Sequence, residues 1–144
     1  MIQKAEKKDL PVLADLACRL WPENTAEEMQ AEYAALLLEP DAVLFLANAD
    51  GTAVGFAQCQ LRRDYVEGTD SSPVGYLEGI FVAEAYRKQG IAKDLLAACE
   101  NWAKSKGCAE FASDCELNND QSLQFHLSVG FEEANRIICF TKKL

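Results

Sequence analysis

A single-domain α/β fold with a mixed sheet is predicted by three features of this sequence. Its elements run βααββ, then βαβα, then β. The strand–helix–strand unit at 74–82, 90–106 and 108–115 implies a parallel pair with a right-handed crossover. Asp50-Gly51 between two β-rich runs signals a hairpin, so the N-terminal part of the sheet is antiparallel. With 144 residues, 49% hydrophobic content and no repeat, linker or low-complexity segment, residues 1–144 form one domain around one core.

Each element has a local reason. Residues 2–5 form a short first strand. Asp9 caps a helix with Pro11 in its first turn, and Leu10, Leu13, Ala14, Ala17 and Leu20 make its apolar stripe; Trp21-Pro22 ends it. Thr25-Ala-Glu-Glu28 is a capping-box pattern that opens a second helix to about residue 38, before Glu39-Pro40. Strands at 42–49 and 52–62 flank the Asp50-Gly51 turn, and a polar loop, "RDYVEGTDSSP", leads into the strand at 74–82. In the helix at 90–106, Ile91, Leu95, Ala98, Cys99, Trp102 and Ala103 share one face. A strand at 108–115, a helix at 119–129 and a last strand at 136–142 complete the chain.

Composition excludes several classes of function. The formal net charge is −9, from 23 acidic against 14 basic residues, which argues against a nucleic-acid partner. No apolar run approaches the roughly 18–20 residues that span a bilayer, and Met1-Ile-Gln-Lys-Ala-Glu lacks a signal peptide's apolar region. The expectation is a cytoplasmic protein with no membrane partner. The six cysteines form no CxxC pair and there is one histidine, so no metal site is expected and the cysteines read mainly as reduced packing residues. A catalytic Cys–His pair would have only His126 as its base.

The stretch "EGIFVAEAYRKQGIAKDLL" (residues 78–96) runs from an apolar strand through a basic loop into a helix. Gly90 removes a side chain where backbone meets a ligand. The helix start supplies free N–H groups and the positive end of a dipole, and Arg87 and Lys88 add charge. The spacing is neither Walker A nor the Rossmann GxGxxG, so the residues alone leave an ordinary loop and an anion site both open.

Arg87-x-x-Gly90-x-Ala92, between an apolar strand and an amphipathic helix, resembles the acetyl-CoA signature of the GNAT acetyltransferase superfamily. Asn119-Asp-Gln-Ser-Leu-Gln-Phe125-His126-Leu-Ser-Val-Gly130-Phe131 resembles its second motif, a helix ending in Gly-Phe. "LWPENTAEE", "RRDYVEGTDSSPVGYLEGIFV" and "GCAEFASDCELNNDQS" are similar to segments of the aminoglycoside 6'-N-acetyltransferases within it. The resemblance implies transfer of acetyl from acetyl-CoA to the 6'-amino group of an aminoglycoside in a ternary complex, conferring antibiotic resistance. It implies a GNAT fold whose parallel strands, 74–82 and 108–115, splay to admit the pantetheine arm. Ile80, Phe81 and Val82 would contact that arm, with the Val82 N–H an oxyanion donor. Lys88, Gln89, Gly90, Ile91, Ala92 and Lys93, with Arg87, would wrap the pyrophosphate, and Asn119 would reach the pantetheine or its phosphate end. A homodimer formed through the C-terminal strands is also implied, and the apolar run Ile137-Ile-Cys-Phe140 suits either that pairing or packing within the chain.

Glu78 and Asp114 interrupt otherwise apolar strands, where a carboxylate is costly without a partner. Each faces water at a sheet end or, as the resemblance suggests, holds substrate ammonium groups, with Glu78 as general base and Asp114 positioning the amine. Trp21 and Tyr65 match pocket-lining positions of the resembled enzymes, and an aromatic face suits a sugar ring. Glu133 and Asn135 either face the substrate or form a solvated turn. His126 departs from the family, which commonly carries tyrosine there to protonate the leaving thiolate; it acts as that acid or packs beside the cofactor. The same fold acting on a polyamine or a protein N-terminus, and a non-catalytic acetyl-CoA sensor, are the alternatives.

Overall fold

The computed structural model describes residues 1–144. In chain order the elements are β1 (Ile2–Lys4), α1 (Leu10–Leu20), α2 (Ala26–Leu36), β2 (Ala42–Ala49), β3 (Thr52–Arg62), β4 (Val74–Val82), α3 (Ile91–Ser105), β5 (Phe111–Ser113) and α4 (Asp120–Ser128). The five strands lie in sequence order, β1-β2-β3-β4-β5. The first four are antiparallel, and β5 joins β4 in parallel through the α3 crossover.

Two cores sandwich this sheet. On one face α1 and α2 pack Leu13, Leu16, Met29 and Tyr33 against Leu44, Leu46 and Phe56. On the other, α3 and α4 bring Leu95, Leu96, Cys99 and Phe125 onto Val43, Val54, Ala57 and Leu77. The α1 stripe expected at every third or fourth residue is buried at Leu10, Leu13, Ala14 and Ala17.

Local chemistry sets most boundaries. Thr25 Oγ1 accepts from the Glu28 N–H at 3.1 Å, capping α2 as its pattern foretold. Asp9 behaves differently from expectation. Its carboxylate accepts from the Glu6 N–H at 2.9 Å, closing a capping box on a 3-10 turn over Lys7–Asp9 that precedes α1.

Two expected strands are cut back. The run at 108–115 forms a ladder only over Phe111–Ser113, because Gly75, Tyr76 and Leu77 are its only partners on β4. The last strand expected at 136–142 does not form. Residues 131–144 enter no ladder, and Ile137, Ile138 and Phe140 are 69%, 79% and 91% exposed, so no strand of this chain covers them. This apolar run pairs with neither outer edge of the sheet, β1 or β5, within the chain.

Candidate active site

The site begins at a defect in β4. Gln58 pairs with Gly79 and Cys59 with Leu77, so Glu78 is an extra residue opposite the β3 ladder, a β-bulge. The parallel ladder to β5 ends at Leu77, one residue earlier. From Glu78 onward β4 therefore continues without a partner on its β5 side. The Ala83 N–H donates to the Val54 carbonyl at 2.7 Å, toward β3. Antiparallel alternation then turns the backbone groups of Ile80 and Val82 away from β3, into the gap. Arg87 agrees with this, since its Nε donates to the Val82 carbonyl at 2.8 Å. The Ile80 and Val82 N–H groups stand along this unpaired edge of β4, the β4 slot.

The bulge also aims Glu78 toward the α1–α2 face. There a cleft of about 290 Å³ is lined by Trp21, Glu23, Asn24, Met29, Glu32, Gln58 and Glu78. Three of these residues are carboxylates and none is a cation. Trp21, just past α1, stands edge-on to Phe56 with ring centroids 6.1 Å apart and covers Gly79. Tyr33 donates to Gln58 Oε1 at 3.2 Å, and Gln58 Nε2 to Gln60 at 3.0 Å, fixing the cleft floor.

Glu78 is joined to Asp114 through two further residues. Arg62, the last residue of β3, donates from Nη2 to both Glu78 oxygens at 2.5 and 2.9 Å and from Nε to Oε1 at 3.0 Å. Its guanidinium carbon lies 3.4 Å from the centre of the Tyr76 ring. The Tyr76 hydroxyl in turn donates to Asp114 Oδ2. Burial first, and then that bond to Asp114, hold the Tyr76 hydroxyl well above its ordinary value, so it stays protonated and donating.

Beyond β4 the loop turns through two left-handed residues, Lys88 (φ 61°) and Gly90 (φ 83°). A Cβ on Gly90 would meet nothing within 4 Å, so glycine is needed there for its backbone angle and not for space. No side chain caps α3, which leaves the N–H groups of Ile91, Ala92 and Lys93 without a side-chain acceptor at the positive end of a 15-residue helix. That start fits a pyrophosphate, with Lys88, Gln89 and Lys93 beside it.

The remaining expected residues are spread around these features. Asn119 caps α4, its Oδ1 accepting from the Ser122 N–H at 3.0 Å, which leaves its amide NH₂ for a ligand. His126 Nδ1 lies 2.7 Å from the Ser122 carbonyl, a pure acceptor, so Nδ1 carries a proton. Nε2 lies 2.8 Å from Ser113 Oγ, and in the neutral ring it accepts a hydrogen bond from that hydroxyl. Tyr65 is 73% exposed in the loop before β4. Asn135 donates to Glu67 in the same loop at 3.2 Å, and Glu133 pairs with Arg136, so neither side chain lines the cleft of its own chain. No group of three or more His, Cys, Asp or Glu side chains could hold a metal ion.

Sequence reasoning missed Arg62, Tyr76, Gln58, Glu23, Asn24, Glu32 and Ser113. Gln58 carried the signal that picked out Glu78, a polar residue inside an apolar strand. Glu23 and Asn24 sit beside Trp21 in an already conspicuous segment. Arg62 and Tyr76 gave no signal, because only the strand register brings them to the carboxylates.

Comparison with known proteins gives this geometry a family. Residues 10–131 match the model of the Acetyltransferase (GNAT) family. A relative from Salmonella enteritidis, named aminoglycoside N(6')-acetyltransferase type 1, is 42% identical over 142 residues, covering 99% of this chain and 98% of the relative. The protein of the same name from Serratia marcescens is 41% identical, covering 100% and 99%. Among solved structures, aminoglycoside N-acetyltransferase AAC(6')-Iy in complex with CoA superposes with a TM-score of 0.97 at 41% identity, over 100% of this chain and 95% of that one. AAC(6')-Iy with the bisubstrate analog CoA-S-monomethyl-acetylneamine gives 0.96 at 41% identity, over 100% and 98%. With the family model spanning most of the chain and relatives matching it from end to end, the chain belongs to the acetyltransferase (GNAT) family.

Proposed function

We propose that this chain transfers an acetyl group from acetyl-CoA to the 6'-amino group of aminoglycoside antibiotics while both substrates are bound. The observation that carries the reading is the meeting of two features at Glu78: an acidic cleft on one side, and on the other the slot along β4. An amine and a thioester brought together need that junction. The relatives' names, and the analog joining CoA to neamine in one of their structures, support the same pairing of substrates.

The residues divide the work. The start of α3, with Lys88 to Lys93, holds the pyrophosphate, and the free edge of β4 at Ile80 to Val82 holds the pantetheine arm. Acetyl-CoA supplies an activated acyl group: a C–N bond forms, the C–S bond breaks, and the thiol leaves. Glu78 accepts the proton the attacking amine must lose, directly or through one water. The Val82 N–H faces the slot and donates to the oxyanion that develops on the carbonyl. Asp114, held by Tyr76, anchors a second ammonium, and Trp21 gives a sugar ring an apolar wall. A general-acid role for His126 requires its doubly protonated ring, since the neutral ring's Nε2 is an acceptor.

No helix is long and apolar enough to cross a membrane, and the reading places the enzyme in the cytoplasm, where acetylation confers resistance. It also includes a homodimer in which a partner copy covers Ile137, Ile138 and Phe140; a monomer mass by light scattering at micromolar concentration would reject that part. The transfer itself is tested by thiol release from acetyl-CoA with neamine and with paromamine, which carry an amine and a hydroxyl at the 6' carbon. Turnover with neamine alone is expected. Equal turnover would remove the 6' assignment, and silence with both would remove the aminoglycosides.

A further inference from the structure

We propose that Arg62 is the acceptor site's own cation, holding the ammonium position on Glu78 until a polyamine substrate displaces it, so that it selects against singly charged amines. The inference rests on the aminoglycoside reading and adds to it a residue that sets specificity.

The contacts are unusually complete for a strand-end arginine. Three hydrogen bonds reach one carboxylate, and the guanidinium carbon sits 3.4 Å from the centre of the ring of Tyr76, the residue that holds Asp114. A single cation thereby touches Glu78 directly and Asp114 only through Tyr76. The two partners differ in exposure: the Glu78 side chain is 15% exposed and that of Arg62 is 44%. The carboxylate is fixed in the site by the bulge, whereas the arginine reaches it from the solvent side, from the last residue of β3 before an 11-residue loop. Of the two, Arg62 is the one that can leave.

A half-buried carboxylate is unfavourable without a counter-charge, and Arg62 supplies one when no substrate is present. An incoming ammonium then exchanges one cation for another at Glu78. A monoamine gains little from that exchange. A substrate with several ammonium groups also meets Glu23 and Glu32 in the cleft and Asp114 beyond Tyr76, and these contacts favour displacement. Arg62 therefore lowers the apparent affinity for every amine by the fraction of time it occupies Glu78, and only polycations overcome it.

The test is calorimetric titration of neamine into the CoA-bound protein, for wild type, Arg62→Gln and Arg62→Lys, with kcat and KM measured for neamine and for the monoamine 6-amino-6-deoxyglucose. Freeing a bidentate, part-exposed pair should tighten neamine binding in Arg62→Gln by about five- to tenfold. The preference for neamine over the monoamine, read as the ratio of their kcat/KM values, should narrow. Arg62→Lys should return the affinity most of the way to wild type. Binding by Arg62→Gln alone would also support the proposal. Weaker or unchanged neamine binding in Arg62→Gln, or an unchanged preference for neamine over the monoamine, would overturn it and leave the substrate reading standing, because Arg62 would then only position Glu78. Binding by neither protein would overturn the substrate reading and this inference with it.

Discussion

Replacing Gly79 with alanine should damage amine binding while sparing the acetyl-CoA side of the site. A Cβ at this position would lie 2.5 Å from Trp21 Cη2 and 2.7 Å from Cζ2. To regain ordinary contact the indole must retreat by about 1 Å. The indole also packs on Phe56, which is fully buried, so the ring yields toward the cleft it lines. Overpacking of this kind costs about 1–3 kcal/mol. With a urea m-value of about 1–3 kcal/mol per molar, the unfolding midpoint should fall by roughly 1 M. Neamine binding should weaken by about tenfold, as expected from roughly 1.4 kcal/mol of lost contact with a displaced wall. Acetyl-CoA binding, which depends on α3 and the slot, should change by less than about twofold on the same reasoning. Urea unfolding followed by the tryptophan fluorescence, with calorimetry for each ligand, measures all three quantities. A midpoint within experimental error of wild type together with unchanged neamine affinity would refute the claim that Trp21 and the bulged strand define the acceptor wall.

The complementary change lies beyond β4, at the start of α3. Gly90→Ala meets no steric obstacle but must hold a left-handed angle, at about 1–2 kcal/mol, and should weaken acetyl-CoA binding with little effect on neamine; the reverse pattern in calorimetry would contradict the anion-site assignment. The buried tyrosines predict alkaline sensitivity. Burial pushes the hydroxyls of Tyr33 and Tyr76 above their ordinary value of 10.0, so the folded state keeps protons that the unfolded chain loses. Their contribution is therefore full below pH 10 and falls as pH rises above it. Urea midpoints measured from pH 9 to 11 should drop less steeply in a Tyr33→Phe, Tyr76→Phe double variant than in wild type, and equal slopes would refute the point.

How much of this was legible in the sequence depends on whether a feature is local. Glu78 and Asp114 stood out because each is a charge in an apolar strand, and the α3 start because a glycine and bases precede an amphipathic run. Thr25 announced its own cap. The bulge at Glu78 was not legible, since it exists only as a mismatch between β3 and β4. Arg62 was hidden for the same reason: it lies 16 residues from Glu78 and meets it only across the hairpin. The run at 136–142 has the apolar composition of a strand, yet composition alone does not say whether its partner edge lies in the same chain. His126 was visible as a departure, but its tie to Ser113 follows from how α4 packs on β5.

The central claim is that the amine reacts at Glu78, where the acidic cleft opens onto the β4 slot. It is tested most directly by the steady-state kinetics of Glu78→Gln with neamine, alongside its affinity for acetyl-CoA. The account predicts a loss in kcat/KM of roughly 10²–10⁴, the usual range for removing a general base, with acetyl-CoA bound as tightly as by wild type. A variant that acetylates neamine within about threefold of the wild-type rate, well outside that range, would contradict it.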